Sequence, residues 1–476
     1  MFDVLIVGAG PAGLAAAQVA ARAGLRVGVV DEQAAAGGQV FRAPRAGGKR
    51  SFGSYPWGRQ LLDDTTREPI TWFFGHSALG VLRDDDSAIR LVIRPQGGAV
   101  EVLGCRRLLI ATGSYDLPVA FPGWTLPGVI GAGAAQTLLK GQSALVDDPV
   151  VLAGGHPLVL VVARDLLRAG VRIRALALTQ RMRELFTGEL LAAGLGNGRI
   201  VRDAVTAMAT LAEHRVPVLA GTVVSRALGP AGVERVELSP IGGDRGKVRE
   251  VEAGSLLLGY GLAPSTDLAR QVGCALDWRP AAGGWVVRHD ADQRTTVPEV
   301  YAAGEPTGVG GADLSRAEGL VAGRAMVTDL TGAVAPEPER VRVDRMLRSS
   351  LRFANRIRTA FALPEHLLAD APGRDTPVCR CEGVTRAAVE DFVDELPGPV
   401  SPNAVKLACR VGMGVCQGRY CERTVLELLR QKQGAVPSDH WSGQFPVRPT
   451  PLEQLIPIAS RSSGATKHAG PPPDDG

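Results

Sequence analysis

No uninterrupted apolar run in this 476-residue chain is long enough to cross a bilayer. The richest one, residues 150–163, is broken by Gly154, Gly155, His156 and Pro157. The apolar stretch at 2–19 lacks a basic leader and contains a Gly-Ala-Gly-Pro turn, so it reads as a strand and then a helix rather than a signal peptide. A cytoplasmic protein is therefore expected, meeting the inner face of a membrane only through a partner. Strong charge is also missing. A net charge of +4 gives no reason to propose nucleic acid or an anionic membrane as a partner. Cysteine is scarce and odd in number, at seven, which argues against a disulfide framework. No CxxC or CxxxxC pair lies near the glycine motifs of the first half, so a disulfide-reductase mechanism lacks its thiols. No fixed-period repeat is present.

Glycine is abundant, at 59 residues, as expected where turns are tight or backbone approaches a ligand. Hydrophobic residues at 45% and charged residues at 21% are ordinary for a globular protein, and the length suggests two or three domains. Residues 3–7 form a short apolar strand, 8–13 turn it, 14–23 form an Ala-rich helix, and 26–30 form the next strand. This is a βαβ unit. A second unit begins at residue 150, with a helix over 157–169 and a strand over 171–178. Strands are predicted within 218–239 and at 300–304, with helices over 313–330 and 340–363.

Gly8-Ala9-Gly10-Pro11-Ala12-Gly13 is a GxGxxG turn between strand and helix. Gly8 makes the turn, Gly10 lets backbone approach a pyrophosphate, and Gly13 lets helix pack on strand. Asp31 stands at the end of the next strand, where an acid binds ribose hydroxyls, and Glu32 is the second choice. Gly37, Gly38 and Gln39 add a flexible loop near the same site. Far along the chain, Gly304-Glu305 closes a strand, and glycines at 308–311 precede a helix. That pairing brings a carboxylate to a ribityl chain and a helix N-terminus to a flavin phosphate, which fits FAD in a domain split by an insertion. In the inserted unit the matching turn has His156 at the second glycine position and Val159 at the third. No acid follows at its strand end, where Thr179 and Gln180 stand, so NAD(P) binding there is doubtful. His156 reads as a packed or capping residue, and Arg181 and Arg183 as a solvated basic face.

Cys379, Cys381, Cys416 and Cys421 form two close pairs and supply the four thiolates a [2Fe–2S] cluster needs. Structural zinc is the competing reading, but a C-x-C half-site is unusual for it. Arg380, Lys406, Arg410, Arg419 and Arg423 are candidates to offset the cluster's charge, and Gly412, Gly414 and Gly418 to turn N–H groups toward sulfur. Cys409 reads as buried structure.

These motifs resemble those of a known family: VGAGPAGLAAA from Val7, DEQAAAGGQVFR from Asp31, ATGSYDLPVAFPGWTLPGV from Ala111, GYGLAPST from Gly259, YAAGEPTGVGGADLSRAEG from Tyr301, PVCRCEGVT from Pro377 and GMGVCQGRYC from Gly412. The resemblance is to the FAD-containing A or α subunits of bacterial multi-subunit amino-acid and opine dehydrogenases. It runs to about residue 429. It implies an α/β flavoprotein of two dinucleotide-binding domains with a small α-rich C-terminal domain. The expected division is an FAD domain at 1–120 and 285–333, an inserted NAD(P)-like domain at 121–284, and a helical linker at 334–370. A BFD-like [2Fe–2S] domain would follow at 371–433, then an extension at 434–476 with a disordered end. Gly8, Gly10, Gly13, Asp31, Gly304 and Glu305 would bind FAD, with Glu32, Gly38 and Gln39 beside them, and the four cysteines would hold the cluster. The resemblance also implies partners: a flavoprotein β subunit that oxidises a C–N bond to an imine and, as a further candidate, a small ferredoxin-like subunit. The chain departs from the family at the inserted turn, which usually keeps Gly-x-Gly-Pro. The alternative is a standalone NAD(P)H-dependent reductase serving a ferredoxin-like acceptor. No general acid or base stands out.

Overall fold

In the computed structural model, residues 1–456 are described apart from 43, 45–51, 54, 84–88, 182, 185–197, 243–247, 365 and 435–438. The chain end expected to be disordered lies outside the described residues. The chain opens with β1 (Phe2–Val7), α1 (Pro11–Arg22) and β2 (Val27–Asp31), followed by α2 (Trp57–Arg67) and β3 (Ile70–Phe74). β1, β2 and β3 pair in parallel. Val4, Leu5 and Ile6 are all fully buried, as an unbroken apolar run must be in a parallel strand covered on both faces. Each such side chain contributes about 1.5–3 kcal/mol.

An antiparallel meander extends this sheet: β4 (His76–Arg83), β5 (Ile89–Pro95) and β6 (Glu101–Ile110). The sequence reading had not placed it. β6 serves two partners on one edge. Its first half pairs with β5, and Leu108–Ile110 pair with a strand that returns much later, at Val300–Ala302. β7 (Ser114–Asp116) then leads out of the first sheet.

The inserted unit comprises β8 (Val129–Gly131), α3 (Ala132–Thr137), β9 (Val150–Gly154), α4 (Leu158–Arg168), β10 (Ile173–Leu178), α5 (Gly198–Glu213) and β11 (Val218–Ala220). A three-stranded antiparallel sheet follows: β12 (Thr222–Leu228), β13 (Arg235–Pro240) and β14 (Arg249–Glu252). β15 (Ser255–Leu258) then enters the parallel sheet between β8 and β9. β16 (Leu262–Pro264) pairs with β7, so the way out and the way back lie side by side.

Next come α6 (Asp267–Val272), β17 (Leu276–Arg279), β18 (Gly284–Val287), and β19 (Val300–Ala302), which rejoins the first sheet beside β6. α7 (Ala312–Thr331) packs against α1 across small residues. A methyl on Gly319 would sit 2.2 Å from Ala12 O, and one on Gly323 would sit 2.9 Å from Val19 Cβ. Larger side chains would push the helices apart. α8 (Glu337–Ala360) lies on α7, and α9 (His366–Asp370), α10 (Arg386–Asp394), α11 (Pro402–Cys409) and α12 (Glu422–Gln433) form the cysteine module. Among the described residues no helix is long and apolar enough to cross a membrane.

Candidate functional site

The carboxyl ends of β1, β2, β6 and β19 lie together at one edge of the first sheet. Parallel sheets bind ligands at such an edge. Three glycines of the first turn have separate physical jobs. Gly8 adopts φ +110°, and a Cβ there would lie 2.2 Å from Ala111 O. A Cβ on Gly13 would lie 1.8 Å from Gly8 O. Gly10 differs, because a Cβ there meets no atom within 4 Å. It is the N-cap of α1 and offers no side-chain acceptor to the helix amides. The turn therefore presents open space and unclaimed N–H groups, which suits an anion.

Asp31 faces this turn. Its Oδ2 accepts the Ala9 N–H at 2.6 Å and its Oδ1 the Gln33 N–H at 2.7 Å, while burial pushes its carboxyl above the usual range. Gly38, at φ +56°, lies against Gly10, where a Cβ would be 2.8 Å from Gly10 Cα. Gly37 N–H donates to Ala9 O at 2.8 Å, which pins the loop to the turn. Gln39 is exposed. Glu32 points elsewhere, forming an ion pair with Arg448 at 3.0 Å.

At the end of β19, Gly304 takes φ +84° and sends Glu305 back over the sheet edge. Glu305 Oε2 accepts the Ser114 hydroxyl at 2.7 Å, and its Oε1 accepts the Gly311 N–H at 2.9 Å and the Gly310 N–H at 3.3 Å. Behind it sits Glu318, which the sequence reading missed. Glu318 Oε2 accepts the Gly304 N–H at 2.7 Å and the Thr307 hydroxyl at 2.8 Å. Burial pushes its carboxyl up to about 7, against those two hydrogen bonds. Arg358 of α8 donates to Val309 O at 2.6 Å and so fixes the same loop. A signal for Glu318 was available, since it is the lone acid on the small-residue face of α7. The open glycine turn, the uncapped α1 and two convergent carboxylates fit a flavin dinucleotide.

The inserted turn is built differently. His156 is half-buried, and desolvation holds its imidazole down to about 4. Its Nδ1 accepts the Leu158 N–H at 3.2 Å, which takes one of the α4 amides a pyrophosphate would need. A Cβ on Gly155 would lie 2.3 Å from Thr179 Oγ1, so strand end and turn are in contact. A cavity of about 280 Å³ beside Thr179 and Gln180 is walled by Thr359, Ala360, Ala362 and Pro364, just beyond and at the end of α8. This arrangement does not fit a dinucleotide.

The four thiols come together, but not as the sequence pairs them. Cys379 lies beside Cys421, and Cys381 beside Cys416. The first two are fully buried, Cys416 is half-buried and Cys381 is exposed. The hydrogen bond from Cys421 draws the Cys379 thiol down to about 6, helped by the Gly412 N–H at 3.5 Å. The hydrogen bond to Cys379 and burial raise Cys421 well above an ordinary thiol. Two thiol pairs suit a two-iron cluster better than tetrahedral zinc. Of the candidate counter-charges, Arg419 is paired with Asp267 and Arg410 with Glu382. Arg380, Lys406 and Arg423 lie over Trp124, Trp441 and Trp278. Backbone N–H groups, not these cations, face the Cys379 sulfur. Cys409 is half-buried rather than buried, 3.5 Å from Ala388 O.

The pyridine nucleotide-disulphide oxidoreductase model matches residues 2–319, and the BFD-like [2Fe-2S] binding domain model matches residues 377–431. The chain belongs to the pyridine nucleotide-disulphide oxidoreductase family. This family member is an FAD-dependent oxidoreductase that also carries a [2Fe–2S] domain. It is 30% identical to the A subunit of opine oxidase from Rhizobium meliloti over 99% of this chain and 90% of that one. It is 28% identical to the HcnB subunit of hydrogen cyanide synthase from Pseudomonas protegens over 95% of this chain and 97% of that one. Among solved structures, L-proline dehydrogenase from P. horikoshii superposes with a TM-score of 0.68 at 19% identity, covering 95% of this chain and 79% of that one. Thioredoxin reductase of T. acidophilum superposes with a TM-score of 0.52 at 21% identity, covering 69% and 98%. Both likenesses establish the fold.

Proposed function

We propose that this chain is the electron-transferring subunit of a heteromeric dehydrogenase that oxidises the C–N bond of an amino acid or opine to an imine. Relatives named as subunits of opine oxidase and hydrogen cyanide synthase support an assembly of several chains. The partner in this reading is a substrate-oxidising flavoprotein β subunit, joined by a small ferredoxin-like subunit. Gly8, Gly10, Gly13, Asp31 and Gly38 hold the dinucleotide end of FAD, with Gln39 at the rim and Glu32 turned away to Arg448, and Gly304 and Glu305 hold its ribityl end. Cys379, Cys381, Cys416 and Cys421 hold the cluster. Bound FAD supplies two-electron and one-electron chemistry, and the cluster supplies one-electron steps. The protein's part is to fix both groups: Glu318 sets the Gly304–Glu305 turn, and the N–H of Gly412 steadies a sulfur. The domain division expected from the sequence goes with this reading.

One observation carries the proposal over a standalone reductase. His156 occupies the α4 amide that a nicotinamide dinucleotide would use, so electrons enter from another source. The test is an anaerobic visible spectrum of the purified chain, titrated with NADH, NADPH and then dithionite. Flavin and iron–sulfur bands bleached by dithionite alone support the subunit reading. Prompt bleaching by either nicotinamide overturns it in favour of a reductase.

A further inference from the structure

Helix α8 carries seven arginines and no lysine. Its sequence splits into two faces. Val343, Leu347, Ser350, Ala354 and Arg358 recur every three or four residues and turn inward. Val343 and Ala354 are buried, and Ala354 lies against Gly310 of the flavin-side loop. On the other side, Val341, Arg345, Arg348, Arg352 and Asn355 recur at the same spacing and are all exposed. Arg345, Arg348 and Arg352 form no ion pair with any described residue. Three like charges in a row on one helix repel each other and are tolerated when an opposite charge arrives from outside.

We propose that this outer face of α8 docks an acidic surface of the substrate-oxidising partner, which rests on reading the chain as one member of a heteromeric dehydrogenase. The residue type favours protein over lipid. Arginine's planar fork pairs with carboxylates through two hydrogen bonds, and arginine is enriched at protein interfaces. A membrane-surface helix needs a free apolar face, yet the apolar face of α8 is turned onto the protein. Only Val341 and Leu351 stand out as exposed large apolar side chains on the helix, at 43% and 41%. A helix of this length runs about 36 Å, enough to cross an interface of about 800 Å² per partner. Location gives the contact a purpose. Arg358 at the end of α8 bonds Val309 O, one residue from the glycines that donate to Glu305. A partner seated along α8 therefore ends near the loop that holds Glu305.

The test replaces Arg345, Arg348 and Arg352 together, by Glu in one variant and by Lys in another. Each tagged chain is produced in its native host with the whole complex, and dissociation on dilution is followed by mass photometry at several salt concentrations. Flavin and cluster absorbance confirm that each variant is loaded and folded. The Glu variant is expected to release the second flavoprotein at a concentration on the order of tenfold higher or more, and the Lys variant at a smaller increase. Salt should weaken the wild-type complex and close the gap between the variants. If the Glu variant holds its partner as tightly as wild type, the docking proposal is wrong while the subunit reading stands. If the wild-type chain brings down no second flavoprotein, both fall. If the Glu variant keeps its partner but loses binding to vesicles containing phosphatidylserine, α8 is a membrane contact instead.

Discussion

At the scale of single residues, the first turn separates glycines required by packing from one required by a ligand. Gly10 has φ −79° and open space where its Cβ would go, so Gly10→Ala should leave the fold intact. The added methyl would stand in the pyrophosphate's place. The expected outcome is an unchanged apoprotein melting temperature, with FAD affinity reduced about tenfold or more. Gly13→Ala should do the opposite, because its Cβ would sit 1.8 Å from Gly8 O and split β1 from α1. Calorimetry and flavin titration distinguish them, and a Gly10→Ala chain that binds FAD normally would remove Gly10 from the site. Glu318 gives a second residue-scale test. Its ordinary value of 4.5 is raised to about 7 in the folded chain by burial. An acid with a raised folded value contributes stability that is full below 4.5 and is lost as pH climbs through about 7. Wild type should lose up to about 3 kcal/mol across that window. Glu318→Gln keeps an acceptor for Gly304 N–H but does not titrate, so its stability should stay flat where the wild type's falls.

At the scale of elements, α6 ties the cysteine module to the rest of the chain. Arg270 makes a two-pronged pair with Glu422 at 2.7 and 3.0 Å, and Asp267 accepts from Arg419 at 2.7 Å. Glu422 follows Cys421 directly, so this pair orients the cluster loop. Both side chains of the Arg270–Glu422 pair are about 90% buried, at 10% and 11% exposure. Arg270→Ala leaves the buried Glu422 carboxylate without its guanidinium, though still accepting the Trp441 N–H at 3.3 Å, at a cost of about 3–5 kcal/mol. Joint replacement by Met and Leu should cost much less, and equal losses in the two variants by urea denaturation would refute this account. None of this was legible in the sequence, because pairing across 152 residues leaves no local pattern. The βαβ units were legible, since turn glycines and apolar strands are local signals. The meander of β4 and β5 was not. Its strands alternate weakly and join through residues outside the described set. The cysteines announced themselves by type and spacing, but the contact of Cys379 with Cys421 depends on how two loops fold over each other. Asp31 and Glu32 are neighbours that the sequence could only rank. Arg448, more than 400 residues away, draws Glu32 outward and leaves Asp31 facing the turn.

At the scale of the whole molecule, the C-terminal extension acts as a strap between the two cofactor regions. Trp441 fills the space beside Gly412 and Gly418, where added Cβ atoms would lie 2.5 and 2.3 Å from its ring. Its indole N–H donates to Pro402 O at 3.0 Å. Further on, Phe445 packs over Gly80 of β4, Val447 N–H donates to Leu79 O at 2.8 Å, and Arg448 reaches Glu32 and Asp267. The strap thus presses on the glycine loop that faces Cys379 and Cys416, and it is anchored on the first sheet. Removing residues 439–476 should open that loop to solvent and free Glu32 from Arg448, while Asp31 keeps its bonds to the Ala9 and Gln33 amides. The chain should then keep its flavin through gel filtration but lose its iron–sulfur absorbance in air several-fold faster than wild type. Trp441→Ala should reproduce much of the effect, since emptying a buried aromatic site costs about 3–5 kcal/mol. Equal cluster lifetimes in the full and shortened chains would mean that the cysteine module holds its cluster without the strap.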